Sequence, residues 1–303
     1  MSVEPDIINI PSHVPSDLVW DHDISVYSKE LDDPYLAAAR LHDDAPDVIW
    51  ATGAYFGQPG WVLTRHADIK SVYMDETHFS AFAVTDFSKM LEVDWKLNPQ
   101  EIDPAAQHVY RQILQPWFQP KAVGRMDASV RALTKSLIAE IKERDSCEFV
   151  EDFARSLPST IFLNIMGLPL EELDQFLAWE QDWVHGDTLA KQQEAMRAIL
   201  TYLEDCVADR RARPRDDLLT HVAQAEIDGR PLDYGETMGM CMVLYGGGLD
   251  TVLGSLGWQM YRNATNRDTQ MLRRRHPAKS GRTDAEQRRR TGQGHNGASV
   301  ATD

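Results

Sequence analysis

Two side chains with complementary proton chemistry stand next to each other late in the chain. Asp250 and Thr251 offer a carboxylate and a hydroxyl, which can hold a proton and pass it to a bound group. They follow three consecutive glycines, Gly246, Gly247 and Gly248, and glycine lets a ligand approach the backbone closely. The spacing indicates a groove for a flat ligand beside a proton-transferring pair. Close packing of the glycines against a neighbouring helix is the structural alternative.

A second pair of residues is suited to binding an anion. Gln107 and Arg111 are four residues apart, which places them one turn apart on the same face of a helix. An amide and a guanidinium on one face can hold a carboxylate, and the arginine can do so with two parallel hydrogen bonds. An arginine on the solvated face of a surface helix is the alternative.

The sequence predicts no metal site built from side chains. Its three cysteines, Cys147, Cys206 and Cys241, are far apart and lack paired spacing. This pattern indicates neither a disulfide framework nor a zinc site, and reduced thiols are expected.

A long apolar helix must position the acid and the hydroxyl. Residues 237–260 contain no proline, and apolar residues recur there at steps of three and four. Apolar residues also occupy the other faces, so we expect a buried helix about 36 Å long that is loosened at Gly246, Gly247 and Gly248. A membrane span is disfavoured because it would place Asp250 in the bilayer and has no basic flank at its N-terminal end.

The other segments predict a mostly helical chain with a small sheet. We expect an extended arm over residues 1–33 and an irregular segment over 81–104. Arg210, Arg211 and Arg213 are expected to form a solvated helix end. The remaining predicted elements are helices at 34–41, 66–72, from 103 to 118 and between 121 and 212, and strands at 48–50 and 60–64.

Composition excludes some classes of function. The net charge is −16 over 303 residues, which argues against a nucleic-acid partner, and 43% hydrophobic residues suffice for a sizeable core. The first residues are acidic and include Pro5, with no apolar run. We therefore expect neither a signal peptide nor a membrane anchor, and a cytoplasmic location.

Two stretches resemble the cytochrome P450 family. Gly247-Gly248-Leu249-Asp250-Thr251 resembles the Ala/Gly-Gly-x-Asp/Glu-Thr signature of its long distal helix, and residues 216–219 and 228–232 precede it in the order of soluble bacterial members. Asp103 to Arg111, followed by Pro116-Trp117-Phe118, resembles Asp-Pro-Pro-Glu-His/Gln-x-x-x-Arg and Pro-x-Phe, although alanines occupy positions 105 and 106. His13-Val14-Pro15 is similar to the arm of the camphor-hydroxylase subgroup.

The resemblance implies a fold and a reaction. The fold class is mainly α, the N-terminal portion of the P450 fold with a small β-sheet, and incomplete. The implied reaction is hydroxylation of a small hydrophobic substrate such as a terpenoid, with haem b, dioxygen and electrons from a 2Fe-2S ferredoxin. The resemblance assigns residues to four roles: Asp250 and Thr251 to proton delivery, Gly247 and Gly248 to the oxygen groove beside the haem, Gln107 and Arg111 to a haem propionate, and Phe87, Trp95, Val243 and Gly246 to the substrate pocket.

The end of the chain departs from the family. Residues 262–303 carry ten Lys and Arg against four Asp and Glu and no aromatic residue, so we expect a P450 domain over 1–261 and a disordered basic tail of frameshifted origin. The Phe-x-x-Gly-x-x-x-Cys-x-Gly loop that supplies the iron thiolate in the family is not in these 303 residues. We therefore expect an inactive chain that does not hold haem as the family does, with a non-catalytic protein that binds haem or a hydrophobic ligand as the alternative.

Overall fold

A computed structural model describes residues 10–23, 42–43, 45–55, 58–82, 84–85, 87–144, 146–267 and 270–271. The chain divides into two compact units. The smaller comprises Met1–Phe82 and Ile102–Ala105, and the larger comprises Ala83–Glu101 and Ala106–Asp303.

The smaller unit contains a three-stranded sheet. β1 (Val19–Asp23) runs parallel to β2 (Val48–Tyr55), and β2 pairs antiparallel with β3 (Gln58–Leu63) in the order β1-β2-β3. Helix α1 (His66–Met74) follows. The two predicted strands and this helix are confirmed.

The N-terminal arm differs from the prediction. Part of the expected extended arm forms β1 after a 3-10 turn at Ser16–Leu18, and so adds a third strand to the expected pair. Val19 pairs with Trp50 and Trp20 pairs with Ala51. Val19 is β-branched and Trp20 is aromatic, and both residue types are common in strands. The helix expected at 34–41 lies outside the described residues.

The larger unit is helical. Its elements in chain order are α2 (Phe87–Leu91), α3 (Pro104–Phe118, which begins in the smaller unit), α4 (Pro120–Lys142), a π-helical turn (Val150–Ala154), α5 (Ser156–Met166), a 3-10 turn (Leu170–Glu172), α6 (Leu173–His185), α7 (Leu189–Ala212), α8 (Leu218–Ala223), the two-residue strands β4 (Glu226–Ile227) and β5 (Arg230–Pro231), α9 (Tyr234–Gly248) and α10 (Asp250–Thr265). The mainly α fold with a small sheet is confirmed. The short helix α2 falls in the segment that was expected to be irregular.

The long apolar helix is interrupted after the three glycines, as their sequence predicts. Its predicted interior position is confirmed for α9 but is wrong for α10, which has no buried residue. α9 ends at Gly248 and α10 begins at Asp250, with Leu249 between them at φ −106° and ψ −72°. Three glycines in a row weaken the helix at this point, since each costs up to about 1 kcal/mol relative to alanine. Leu249 is itself completely buried, so packing holds the break in place. α10 continues to Thr265, past the predicted domain boundary at residue 261.

The N-terminal half of the broken helix is the core of the larger unit. All residues from Thr237 to Met242, and Tyr245, are buried. By length and composition Tyr234–Thr265 would suit a membrane span. The burial of α9 among other helices is what a core helix requires, and it gives that apolar composition a structural reason.

A network of charged side chains fixes the start of α9. Asp233 and Glu236 form a capping box, each side chain accepting from the backbone N–H of the other. Glu236 also accepts from the Tyr110 hydroxyl at 2.9 Å and from Arg230 at 2.7 Å. The hydrogen bond from Arg230 is the main cause that lowers the pKa of Glu236 to about 2.

The basic run at the end of α7 is a solvated helix end as predicted, except at Arg210. Arg210 is 3% exposed, and its guanidinium donates to Asp217 at 2.7 Å and to the Gly167 carbonyl at 2.6 Å. Arg211 and Arg213 are exposed, although Arg211 also donates to the carbonyl of Ala223 at 3.1 Å. Partners distant in sequence bury Arg210, which the composition of the run alone does not reveal.

Candidate functional site at the break between α9 and α10

The predicted acid and hydroxyl lie at the first turn of α10. The Thr251 hydroxyl donates to the Gly247 carbonyl at 3.0 Å, across the break. Asp250 is 35% exposed, and its Oδ1 lies 3.8 Å from Nε2 of His185, which is half exposed at the end of α6. The site therefore combines a hydroxyl held by the helix backbone with a carboxylate that solvent can reach.

The three glycines have different surroundings. A side chain at Gly246 would meet the Trp183 indole at 2.8 Å, and one at Gly248 would meet the Phe162 ring at 2.1 Å. At Gly247 no atom other than the local backbone of the helix lies within 4 Å of the added carbon, and this glycine is exposed. Packing therefore requires glycine at 246 and 248, while Gly247 alone has open space in front of it. The groove role predicted for Gly247 and Gly248 stays a prediction.

An apolar cavity of about 480 Å³ adjoins this open side. It lies among α3, α4, α5, α8, α9 and α10, and Val243, Gly247 and Val252 belong to its wall. The other lining residues are Phe118, Val130, Leu157, Pro158, Ile161, Phe162, Ile165, Leu218, Leu244, Gly248 and Leu256. Such a lining suits a hydrophobic guest.

The four predicted substrate-pocket residues separate into two groups. Phe87 contacts Trp95 and Trp183, with ring centroids 5.5 and 6.2 Å apart, and Trp183 in turn covers Gly246. Val243 instead lines the apolar cavity with Gly247. Trp183 was not among the predicted residues. An aromatic residue on α6 gives no local signal that it faces a glycine more than sixty positions later.

The predicted anion-binding pair lies on α3. Gln107 Nε2 donates to the carbonyl of Pro99 at 3.2 Å, which leaves its second N–H available. Arg111 is exposed, and no hydrogen bond or ion pair joins it to any residue in the described part of the chain. Its guanidinium is thus free to bind a carboxylate of a ligand.

A buried acid that sequence analysis missed lies near Asp250. Glu180 on α6 is 4% exposed, and its Oε1 has no hydrogen-bond partner among the described residues. Burial, and secondly the negative charge of Asp250, raises the pKa of Glu180 to about 7. A glutamate on a helix gives no sign in the sequence that it points inward.

Comparisons with known proteins decide the family. No protein-family model matches the chain. The chain is 33% identical over 278 residues to the probable cytochrome P450 127A1 of Sinorhizobium fredii, covering 90% of this chain and 67% of that protein. The chain belongs to the cytochrome P450 family.

Other P450s agree with this assignment. The erythromycin C-12 hydroxylase of Saccharopolyspora erythraea is 30% identical over 210 residues, which are 65% of this chain and 51% of that protein. Crystal structures of CYP101J2 and CYP101C1 superpose with TM-scores of 0.71 and 0.70 at 26% and 28% identity, each covering 89% of this chain and 66% of the other. The chain thus spans about half to two thirds of the P450s it matches. The camphor-hydroxylase subgroup stays a prediction.

The residues present fit one face of a haem. Gly247 leaves room for a flat ring, the cavity wall beside it is apolar, and Arg111 is an exposed cation in the same unit. These are the requirements of a planar, largely apolar group that carries carboxylates.

The described cysteines are poor candidates for an iron thiolate. Cys241 is completely buried in α9, and burial raises the pKa of its thiol to about 12. Burial also raises the pKa of Cys206, whereas Cys147 is exposed. In the described part of the chain no group of three His, Cys, Asp or Glu side chains could hold a metal ion.

Proposed function

We propose that this chain forms the distal side of a haem-dependent monooxygenase that inserts one oxygen atom into an unactivated C–H bond of a small hydrophobic substrate. The observation that carries the proposal is the hydrogen bond from Thr251 to the Gly247 carbonyl beside open space. A hydroxyl fixed at the edge of a space that no side chain fills is suited to a ligand that must receive protons.

Haem b, when bound, supplies the iron that activates dioxygen. Arg111 binds a propionate, with the second N–H of Gln107 as an additional donor. Gly247 allows the ring to approach the helix, since any larger side chain would occupy that space. Gly248 supports this arrangement by letting α9 pack directly on Phe162.

Asp250 and Thr251 deliver protons. Asp250 is partly exposed and can exchange protons with water or with His185. The Thr251 hydroxyl both donates and accepts, so it can receive a proton and pass one on while its position is held by the Gly247 carbonyl. The break at Leu249 places both side chains at the same turn.

The substrate is an apolar molecule of terpenoid type. Phe87, Trp95 and Trp183 form an aromatic group that suits such a guest, with Trp183 packed over Gly246, and Val243 lines the apolar cavity. The indole N–H of Trp95 can donate a hydrogen bond to a substrate oxygen. We further propose a cytoplasmic enzyme that receives electrons from a 2Fe-2S ferredoxin.

A second candidate function is non-catalytic binding of haem or a hydrophobic ligand. The apolar cavity of about 480 Å³ favours it, as do the exposed side chains of Val252, Trp258 and Tyr261 on α10. No thiolate loop of the family type occurs among the 303 residues. We therefore propose that this polypeptide, tested alone, does not oxidise substrate.

Haem titration of the apoprotein, followed by absorbance, tests the proposed cofactor face. Arg111→Gln should weaken haem uptake by removing a charge-assisted contact, while Arg125→Gln, which changes another exposed arginine, should not. Equal uptake by both variants would remove Arg111 from the proposed site. Uptake of a hydrophobic dye but not of haem would favour the second candidate function.

A further inference from the structure

Glu180 is a buried carboxyl group with no structural partner to explain it. It lies in α6, is 4% exposed, and its Oε1 accepts no hydrogen bond in the described part of the chain. Leaving a buried polar atom unpaired is unfavourable, and an ionised carboxylate in that position would be more so. Because burial of this carboxyl group is unfavourable for folding, Glu180 is a candidate for a functional role.

The groups around Glu180 favour its protonated form. Asp250 on α10 adds a like charge, which acts together with burial to raise the pKa of Glu180 to about 7. Arg155, just before α5, opposes this, but its guanidinium is already paired with Glu151 at 2.9 Å. Tyr245 on α9 also interacts electrostatically with Glu180, but its hydroxyl donates its hydrogen bond to the Phe176 carbonyl at 2.8 Å and not to Glu180. Glu180 therefore keeps its proton to a higher pH than an exposed glutamate does.

Asp250 also has a neighbour that reaches solvent. His185 lies five residues after Glu180 on α6, is 51% exposed, and places Nε2 3.8 Å from Asp250 Oδ1. Imidazole exchanges protons with water near neutral pH. Asp250 thus interacts electrostatically with a buried acid and lies beside an exposed imidazole, and it is adjacent in sequence to Thr251.

We propose that Glu180 is an internal proton store for Asp250, and that His185 supplies replacement protons from water. The inference rests on the proton-delivery role proposed above for Asp250 and Thr251. One proton passes from the Glu180 carboxyl to the Asp250 carboxylate and on toward Thr251, which leaves Glu180 ionised. A proton taken from water by His185 then returns through Asp250 to Glu180, so no net charge accumulates. Glu180 is a positioning and storage residue that acts through Asp250.

A carbon-13 NMR titration of the chain labelled at glutamate side-chain carboxyls tests the proposal without haem. Wild type should show one glutamate titrating near pH 7, and Glu180→Gln should lack this signal. Asp250→Asn removes the like charge and should move the midpoint toward the ordinary glutamate value. Asp182→Asn is the matched control, because Asp182 is on the same helix but pairs with Lys191 at 2.8 Å; it should leave the midpoint in place.

The role of His185 has its own readout. His185→Phe should slow proton exchange at Glu180, measured from the line width of its carboxyl signal at the midpoint. A midpoint unaffected by Asp250→Asn, or a Glu180 signal with an ordinary acidic midpoint, would overturn the proposal. These outcomes are independent of haem uptake. A result that overturns the proton-store proposal can therefore be distinguished from one that overturns the proposed monooxygenase function. The Asp250→Asn measurement keeps the wild-type Glu180 and applies even where Glu180→Gln does not fold.

Discussion

Alanine at two adjacent positions of α9 should have opposite effects on stability. At Gly248 the added carbon would lie 2.1 Å from Phe162 Cδ2 and 2.7 Å from its Cγ. Phe162 is 7% exposed and meets Tyr245 edge to face at 6.1 Å, so Tyr245 limits the movement of its ring on one side, while the apolar cavity that Phe162 lines can relieve part of the overlap. Overpacking of this kind costs about 1–3 kcal/mol, against a helix-propensity gain of about 1 kcal/mol. Gly248→Ala should therefore lower the free energy of unfolding by up to about 2 kcal/mol.

Gly247→Ala should instead raise the free energy of unfolding. No atom other than the local backbone of the helix lies within 4 Å of the added carbon, so the gain in helix propensity of about 1 kcal/mol is not offset. The same substitution fills the space proposed for the haem ligand. It should therefore stabilise the chain while it weakens haem uptake, because stability and function make opposite demands at this position.

Urea unfolding followed by tryptophan fluorescence measures both effects, read as midpoint shifts at an unchanged slope. Phe162→Leu combined with Gly248→Ala is the control, since the smaller side chain should recover part of the loss in a double-mutant cycle. If the Gly248→Ala variant were at least as stable as the Gly247→Ala variant, the assignment of Gly248 to packing and of Gly247 to open space would be refuted.

Three further predictions concern single side chains. The pKa of Glu180 is raised to about 7 in the fold from an ordinary 4.5, so its protonated form contributes stability that is complete below pH 4.5 and is lost as pH rises through 7. In urea titrations, Glu180→Gln should remove up to about 3 kcal/mol of this decline in stability between pH 5 and 8. An unchanged decline would contradict the prediction. Asp217→Asn should lower the free energy of unfolding, because Arg210 loses its 2.7 Å carboxylate partner. The loss should be smaller than the roughly 3–5 kcal/mol expected for an unpaired buried charge, since Asp209 stays at 3.0 Å, and a loss below about 1 kcal/mol in urea unfolding would show that the pair is dispensable. In a polypeptide that includes a family thiolate loop, Thr251→Ala should uncouple oxygen consumption from product formation, whereas Thr251→Ser should not. An oxygen electrode and a product assay measure the coupling, and equal coupling in both variants would refute proton delivery by Thr251.

Local patterns were sufficient to predict most of the elements. Strands β2 and β3, helix α1 and the apolar run of α9 follow from alternation, helical spacing and glycine or proline at the ends. The one-turn spacing of Gln107 and Arg111 on α3 is confirmed for the same reason. Adjacency in sequence likewise placed Asp250 and Thr251 at one turn of α10.

Features set by distant contacts were not predictable. The glycines predict an irregular helix, but the place of the break at Leu249 also depends on the burial of that side chain. The burial of Arg210 depends on Asp217 and the Gly167 carbonyl. Trp183 and Glu180 belong to the site only because α6 packs near the break. Their residue types are equally common on a solvated helix, so a single sequence contains no signal for their direction.

The most direct test of the account is the carbon monoxide spectrum of the reduced 303-residue chain after haem reconstitution. The account assigns the distal face, with Gly247, Asp250 and Thr251, to these residues, and it assigns an iron thiolate to none of Cys147, Cys206 and Cys241. It therefore predicts that no thiolate-type, red-shifted Soret band develops. A red-shifted band that disappears when one of the three cysteines is changed to serine would contradict it.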